Sequence, residues 1–295
     1  MANFILDDAK KVFGGKSSLS KIILITCVTY LITNLLQYAF PIKNYFALPG
    51  DPGTLLMQPW SIVTYMFLHA GFFHILFNML WLHWMGKILI EYLGDKRFSA
   101  VYFLGGIAGG LTYFVSYNIL NATGSTHIGQ LLLGASAGVM AVVFAVATLL
   151  PEFEIMLFLF GRVKMKYLAL GALVLTSLLD FSVNMGGKLA HIGGAAMGYV
   201  FIKQLQSGQD WSVAFHGMIS WFTGPFSAKK KMKVVSNQYK AKAPRKEHAT
   251  ATGSNMTAAE KQKRIDSILD KISQSGYDSL SESEKEFLFK ASDKH

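Results

Sequence analysis

The 295-residue chain reads as an all-α, polytopic membrane protein: six transmembrane helices in a bundle, then a small C-terminal cytoplasmic helical hairpin. Three observations predict this class. Charged residues make up only 16% of the chain, against about a quarter in soluble domains, and they are sparse over 22–206 and dense over 207–295. Six apolar runs each approach the ~20 residues that a helical span needs. The Lys and Arg clusters fall in alternate loops, as the positive-inside bias requires.

The runs are 22–40, 72–91, 98–119, 133–150, 165–183 and 189–206. The first, third and fourth carry no charge, whereas Lys164, Lys166 and Asp180 crowd the ends of the fifth. The chain divides into a cytoplasmic N-terminal segment (1–20), a membrane core (21–206), an interfacial and polybasic linker (207–255) and the hairpin (256–295). Asp7 and Asp8 precede no apolar core with a small-residue cleavage site, so no cleavable signal peptide is expected. The single cysteine, Cys27, excludes an internal disulfide and a cysteine-based metal cluster, and it reads as a buried thiol.

Orientation follows from the basic residues. Lys10, Lys11, Lys16 and Lys21 precede the first run, Lys96 and Arg97 separate the second and third, and Arg162, Lys164 and Lys166 separate the fourth and fifth. The alternate loops hold only Lys43 and Lys188. Both termini are therefore expected in the cytoplasm, with the chain in the cell (inner) membrane. Runs two, four and six then descend from the outer face, which puts His74 and Asn78, Ser136, and His191 at one depth, one to three turns in.

Polar groups inside a membrane are costly unless they find partners. A lone histidine there is explained by one interhelical hydrogen bond; four polar groups from three helices at one depth point to chemistry. Gly134-Ala135-Ser136-Ala137-Gly138 fits both the G-x-S-x-G elbow of a serine nucleophile and a G-x-x-x-G packing seam. His191 is the base that Ser136 needs. His74 and Asn78, spaced i and i+4, share a helix face and offer N–H donors to an oxyanion, with the Ser136 backbone N–H as a third. Gly134 lets the backbone approach closely, and Gly194 and Gly198 form a second small-residue seam one turn after His191, bringing run six against run four. Of the acids between Ser136 and His191, Glu152 and Glu154 fall on the cytoplasmic side, and Asp180, near the outer end of run five and within possible reach, reads better as an interfacial carboxylate, so the pattern reads as a Ser136–His191 dyad. That also counts against a soluble α/β-hydrolase, whose order is serine, acid, histidine.

With these residues the sequence resembles the rhomboid family of intramembrane serine proteases. The matching pieces are His69 with His74-Ile75-Leu76-Phe77-Asn78, Gly134-Ala135-Ser136, and Ala190-His191-Ile192-Gly193-Gly194 through Gly198, with Glu91 at a recurring acidic position. The resemblance covers about residues 20–206. It implies a six-helix bundle of bacterial type, Ser136 as nucleophile, His191 as base, and an oxyanion site of His74, Asn78 and the Ser136 N–H, with His69 in support. It also implies a water-filled cavity and cleavage of other proteins' transmembrane segments near the outer interface. The chain departs from the family pattern at Ser61 after Trp60, where many relatives carry arginine, at Ala137 after the serine, and at Met140, where many carry an aromatic stacked on the histidine. No cofactor and no metal are expected.

Beyond the core, Trp211, Phe215, Met218, Ile219, Trp221, Phe222 and Phe226 suit either an interfacial segment on the inner leaflet or a hydrophobic linker. Residues 229–246 carry eight Lys or Arg and no acid, which suits anionic lipid headgroups; no nucleic-acid partner is expected. Thr257-Ala258-Ala259-Glu260 and Ser281-Glu282-Ser283-Glu284 read as capping boxes. Ile265, Ile268, Leu269 and Ile272 form a stripe facing Leu280, Phe287, Leu288 and Phe289. The alternative to a protease is a catalytically inactive rhomboid-like protein that binds and escorts membrane proteins. A proton-coupled transporter lacks mid-membrane carboxylates here, and a zinc protease would need H-E-x-x-H, which the chain does not contain.

Overall fold

The computed structural model describes residues 17–37, 39–124, 129–157, 161–178, 185–223 and 257–292. Lys10, Lys11, Lys16, Asp180, Phe226 and the basic run 229–246 lie outside them. The chain separates into two compact units, 1–229 and 230–295.

The first unit is a helical membrane bundle. It comprises α1 (Ser18–Leu36), α2 (Ile42–Phe46), α3 (Pro52–Met57), α4 (Ser61–Thr64) with a 3-10 turn (Tyr65–Phe67), α5 (Phe72–Leu93) and α6 (Asp95–Ala122). After these come α7 (Ser136–Leu149), α8 (Met165–Leu173) running into a π turn (Val174–Leu178), α9 (Met185–Gln206) and α10 (Trp211–Thr223). By length and composition, α1, α5 and α6 are long and apolar enough to cross a membrane.

Local chemistry sets several boundaries. α1 starts four residues earlier than its apolar run, because Ser17 caps it and Asp95 accepts from the Ser18 N–H at 2.8 Å and its hydroxyl at 2.7 Å. That carboxylate ties the start of α1 to the start of α6 across a helix N-terminus, where negative charge is favoured. Pro41 then stands where the helix would otherwise continue. Gly94, at φ 81°, lets α5 and α6 follow one another with a single joining residue.

The core gathers around α7, which α6 and α9 flank on two sides. Every one of its residues from Ala137 to Val143 is buried. Small residues allow the approach: Gly105 and Gly109 of α6 face Ala141 and Ala137, while Gly194 and Gly198 of α9 face the backbone carbonyls of Ala137 and Ala141. Gly138 packs on Tyr102 of α6 rather than on α9. The 134–138 stretch is thus not a helix seam, because Gly134 precedes the helix; the backbone of Ala137 and Ala141 is what meets α9.

Two short antiparallel pairings complete the unit. β1 (Leu48–Pro49) pairs with β2 (Leu131–Leu132), and β3 (Glu154–Leu157) with β4 (Gly161–Lys164). Beside the second, hydrogen bonds from Lys164 (2.6 Å) and Lys166 hold the exposed Glu152 carboxyl down to about 2.

Residues 211–223 form a helix, α10, docked on α6. Phe215 is buried and stacks on Phe103 at 6.1 Å between centroids. Arg97 donates to Asp210 at 2.8 Å just before the helix. Burial pushes the Asp210 carboxyl up, but hydrogen bonds from Ser212 and Arg97 outweigh it and hold it below its ordinary value.

The second unit is a helix pair, α11 (Ala258–Ser275) and α12 (Glu282–Ser292), joined through Gly276 and a 3-10 turn (Tyr277–Ser279). Both capping boxes form: Thr257 with Glu260, and Ser281 with Glu284. Ile268 and Leu280 are buried, and Lys271 of α11 reaches Glu284 of α12 at 2.8 Å. Leu269, expected in the apolar stripe, is exposed, as is Phe289. Residues 265, 268 and 272 share one face at i, i+3 and i+7, and 269 turns off it.

Candidate active site

The start of α7 is set by its approach, not by its own sequence. The β1–β2 pairing holds Leu132 beside Leu48, and the Gly134 N–H donates to the Tyr65 carbonyl at 3.0 Å. Tyr65 is itself anchored by its hydroxyl on the Gly106 carbonyl at 2.7 Å. The chain must then turn sharply into the helix, and it does so at Gly134 with φ 131°, in the region that side-chain-bearing residues avoid. Helix α7 begins two residues later at Ser136. As the first helical residue, Ser136 has a backbone N–H with no intrahelical acceptor, at the positive end of the helix.

His74 stands directly over this turn. A Cβ placed on Gly134 would lie 2.9 Å from His74 Cε1, 3.0 Å from its Nε2 and 3.6 Å from Ser136 Oγ. The histidine ring and the serine hydroxyl therefore flank the same glycine. Beneath His74 the fully buried His69 presents its ring edge-on, 5.0 Å between centroids and 66° between planes. Asn78 lies one turn along α5 and is buried; its amide donates one N–H to the His74 carbonyl at 2.7 Å, which fixes the amide plane and leaves its second N–H for another acceptor.

A cavity of about 570 Å³ unites these residues. Its walls include His74 and Asn78 from α5, Ser136 and Met140 from α7, and His191 from α9, among apolar neighbours such as Phe73, Phe77 and Trp81. Met140 stands with His191 in the same cavity, one turn beyond Ser136. Four polar groups from three helices, expected at one depth, do line one space. The arrangement offers a hydroxyl, an imidazole and a set of N–H donors inside an apolar bundle, the parts that acyl transfer to a serine requires. Among the described residues no group of His, Cys, Asp or Glu is placed to hold a metal ion.

The supporting residues divide. Gly134 makes the close approach to His74, and Gly194 and Gly198 make those between α9 and α7. Glu91 sits in the last turn of α5, exposed, and about 20 Å along the helix from Asn78, so it contributes nothing to the cavity. Ser61 is buried and donates to the Gln58 carbonyl at 2.6 Å, while the Trp60 indole N–H donates to the Tyr45 carbonyl at 2.9 Å. The segment before α5 is bonded internally without the family's arginine.

One neighbour of the site was missed by sequence reasoning. The hydroxyl of Ser177, in the π turn after α8, lies 3.1 Å from His191 Nδ1 and is fully buried. The only signal was the hydroxyl pair Thr176-Ser177 inside an otherwise apolar run.

A family model described as the Rhomboid domain matches residues 56–206, just over half of the chain, and a second model, described as a family of unknown function, matches 254–294. The chain is 27% identical to Rhomboid-like protease 3 of Toxoplasma gondii over 215 residues, which cover 70% of this chain and 79% of the relative. It is 26% identical to Rhomboid-like protease 1 of the same organism over 212 residues, 68% of each chain. It is 33% identical to the mitochondrial Presenilin-associated rhomboid-like protein A of Danio rerio over 168 residues, 55% of this chain but only 41% of that one. With the matched region enclosing α5 to α9 and the whole of the cavity, the chain belongs to the rhomboid family.

Proposed function

We propose that the protein is an intramembrane serine endopeptidase that cleaves transmembrane segments of other membrane proteins near the outer interface. The observation that carries this reading is the single cavity lined by Ser136, His191, His74 and Asn78 within an apolar bundle. In the proposed reaction, Ser136 Oγ attacks the scissile carbonyl while His191 takes the hydroxyl proton. The carbonyl oxygen, now negative, accepts hydrogen bonds from His74, the free N–H of Asn78 and the Ser136 backbone N–H. His191 then passes its proton to the departing amine, and the C–N bond breaks. Water, deprotonated by the same histidine, attacks the acyl-serine ester and restores Ser136. His69, packed under His74, holds the donor ring in place.

The proposal extends to topology. Six spans, with α7, α8 and α9 as the last three, put both termini in the cytoplasm of a cell (inner) membrane. Residues 21–206 then form the catalytic core. The basic run 229–246 meets anionic headgroups, each residue contributing about 1 kcal/mol near such a surface.

The test is labelling of the purified protein with a serine-reactive fluorophosphonate, alongside cleavage of a transmembrane-segment substrate in liposomes. Wild type should label and cleave. Ser136→Ala should do neither, and His191→Ala should lose cleavage while remaining folded. Cleavage near the wild-type rate by either variant refutes the assignment, and a folded wild type that binds membrane segments without labelling or cutting would make the protein an escort.

A further inference from the structure

We infer that Ser177 is a positioning residue for His191, the terminal member of a directed hydroxyl relay that takes the place of a triad carboxylate. The inference rests on the proposed serine-enzyme reading and concerns how that histidine is oriented.

The direction of the relay is set by its far end. Thr176 Oγ1 donates to the Ala172 carbonyl at 2.8 Å, which uses its only hydroxyl proton. Thr176 Oγ1 and Ser177 Oγ are 3.3 Å apart, and with the Thr176 proton committed, Ser177 is the donor between them. Ser177 then has lone pairs and no proton left for His191, whose Nδ1 lies 3.1 Å away. Nδ1 must therefore carry the hydrogen, with Ser177 Oγ as its side-chain acceptor and the Thr176 backbone carbonyl as a second acceptor for the ring N–H. The neutral ring is held in the tautomer whose lone pair is on Nε2, the form able to accept the Ser136 proton.

The backbone is shaped for this. α8 is regular to Leu173 and then widens into the π turn Val174–Leu178. Such a turn adds one residue to the helix and rotates the next residues by roughly 100°, and π turns recur at functional sites. Ser177 lies on this turn, buried, whereas its neighbours Val174 and Leu175 are exposed. A hydroxyl accepts from the imidazolium as well as from the neutral ring, so the contact persists through the proton transfer. A neutral acceptor stabilises the imidazolium less than a carboxylate would. Among the described residues, the ionisable groups facing His191 are His74 from α5 and Lys188 on α9 itself; α7 presents Ser136, and α8 with its π turn presents Thr176 and Ser177.

The experiment compares wild type, Ser177→Ala, Ser177→Cys and Ser136→Ala in the full-length chain, with thermal unfolding as a check on folding. The readouts are the fluorophosphonate labelling rate from pH 5 to 9, and kcat and KM for a transmembrane-segment substrate. Hydrogen-bond partners that orient metal-bound histidines contribute ~10–100-fold; on the same scale, Ser177→Ala should lower the labelling plateau and kcat by at least about tenfold, with KM unchanged. Loss of the acceptor disfavours the imidazolium, so the acidic limb of the rate profile should move to lower pH. Ser177→Cys keeps the volume but offers a weak acceptor, and should fall between the two, carrying the test if the alanine variant does not fold. A folded Ser177 variant with the wild-type plateau and midpoint overturns the inference, as does a reduced plateau with an unmoved midpoint, which marks packing alone. Labelling of Ser136→Ala at the wild-type rate instead brings down the serine-enzyme reading itself.

Discussion

Replacing Gly194 by alanine tests whether the α7–α9 contact, and not the identity of the reacting groups alone, sets the rate. A Cβ at Gly194 would stand 2.8 Å from the Ala137 carbonyl carbon and 3.0 Å from its Cα, with the carbonyl oxygen nearer still. Carbon atoms in van der Waals contact sit about 3.5–4.0 Å apart, so the deficit is close to 1 Å. Backbone atoms cannot swing aside as a side chain would. Nor is there slack beside α6, because Gly109 packs so closely that a Cβ there would lie 2.5 Å from the Ala137 Cβ and 2.6 Å from the Ala190 carbonyl oxygen of α9. The helices must part by about the deficit, one turn from His191 and one residue from Ser136. Overpacking of this kind costs about 1–3 kcal/mol of stability, and a displacement of 1 Å at the reacting groups can cost ~100-fold in rate. Gly194→Ala should therefore fold with a lowered Tm and cut a transmembrane-segment substrate ~100-fold more slowly. The assay is initial cleavage rate in liposomes, paired with thermal unfolding. A variant within about twofold of wild type in rate, with unchanged Tm, would refute the reasoning, since the contact would then be loose enough to accept a methyl group.

The same geometry carries three further outcomes. Gly134→Ala combines a φ of 131° with a Cβ 2.9 Å from the His74 ring, so it should displace the proposed oxyanion donor and lower cleavage more than it lowers Tm; equal activity would remove His74 from that role. Asn78→Ala deletes one of the proposed oxyanion donors, a change worth about 100–1,000-fold in turnover, while fluorophosphonate labelling of Ser136 should persist in part; unchanged turnover would make Asn78 a packing residue. In the C-terminal helix pair, the Lys271 ammonium and the Ser281 cap hold Glu284 down to about 2 from its ordinary 4.5. A depressed carboxyl stabilises the folded pair above about pH 4.5, and that contribution fades as pH falls toward 2, so amide exchange in α11 and α12 should quicken over this window. Lys271→Met should flatten the response, and a response identical to wild type would show that the ion pair contributes nothing.

The sequence discloses those parts of the protein whose physics is local or strictly periodic. Helices α5, α6 and α9 stand out because long apolar runs are bounded by Gly94, by basic clusters and by the tail. The polar groups His74, Asn78, Ser136 and His191 stand out because each is costly in an apolar run. The start of α7 is different. It depends on the Tyr65 carbonyl and on β1, which are distant in sequence, so a run read as 133–150 becomes a helix of 136–149. Leu269 shows the limit of a stripe read by eye, since a position one residue past the buried face turns outward. Ser177 was hidden because hydroxyls satisfy themselves on their own helix at little cost. Nothing in the run distinguishes one that bonds its own backbone, as Thr176 does with Ala172, from one that reaches another helix.

The shortness of α7 carries a consequence for the bilayer. Fourteen residues rise only about 21 Å, against a hydrocarbon thickness of ~30 Å. On the proposed topology, the missing ~9 Å lies above Ser136, and β2 and the Gly134 turn occupy it in place of helix. The depth of the serine below the headgroups is then fixed by the protein, while the position of the headgroups is fixed by lipid chain length. Membranes a few ångströms thicker or thinner, as organelles and growth temperatures produce, would bring the hydroxyl farther from bulk water or nearer to it without altering one interatomic distance in the cavity. On that topology, acyl-chain length would act on turnover through elastic matching of lipid to protein.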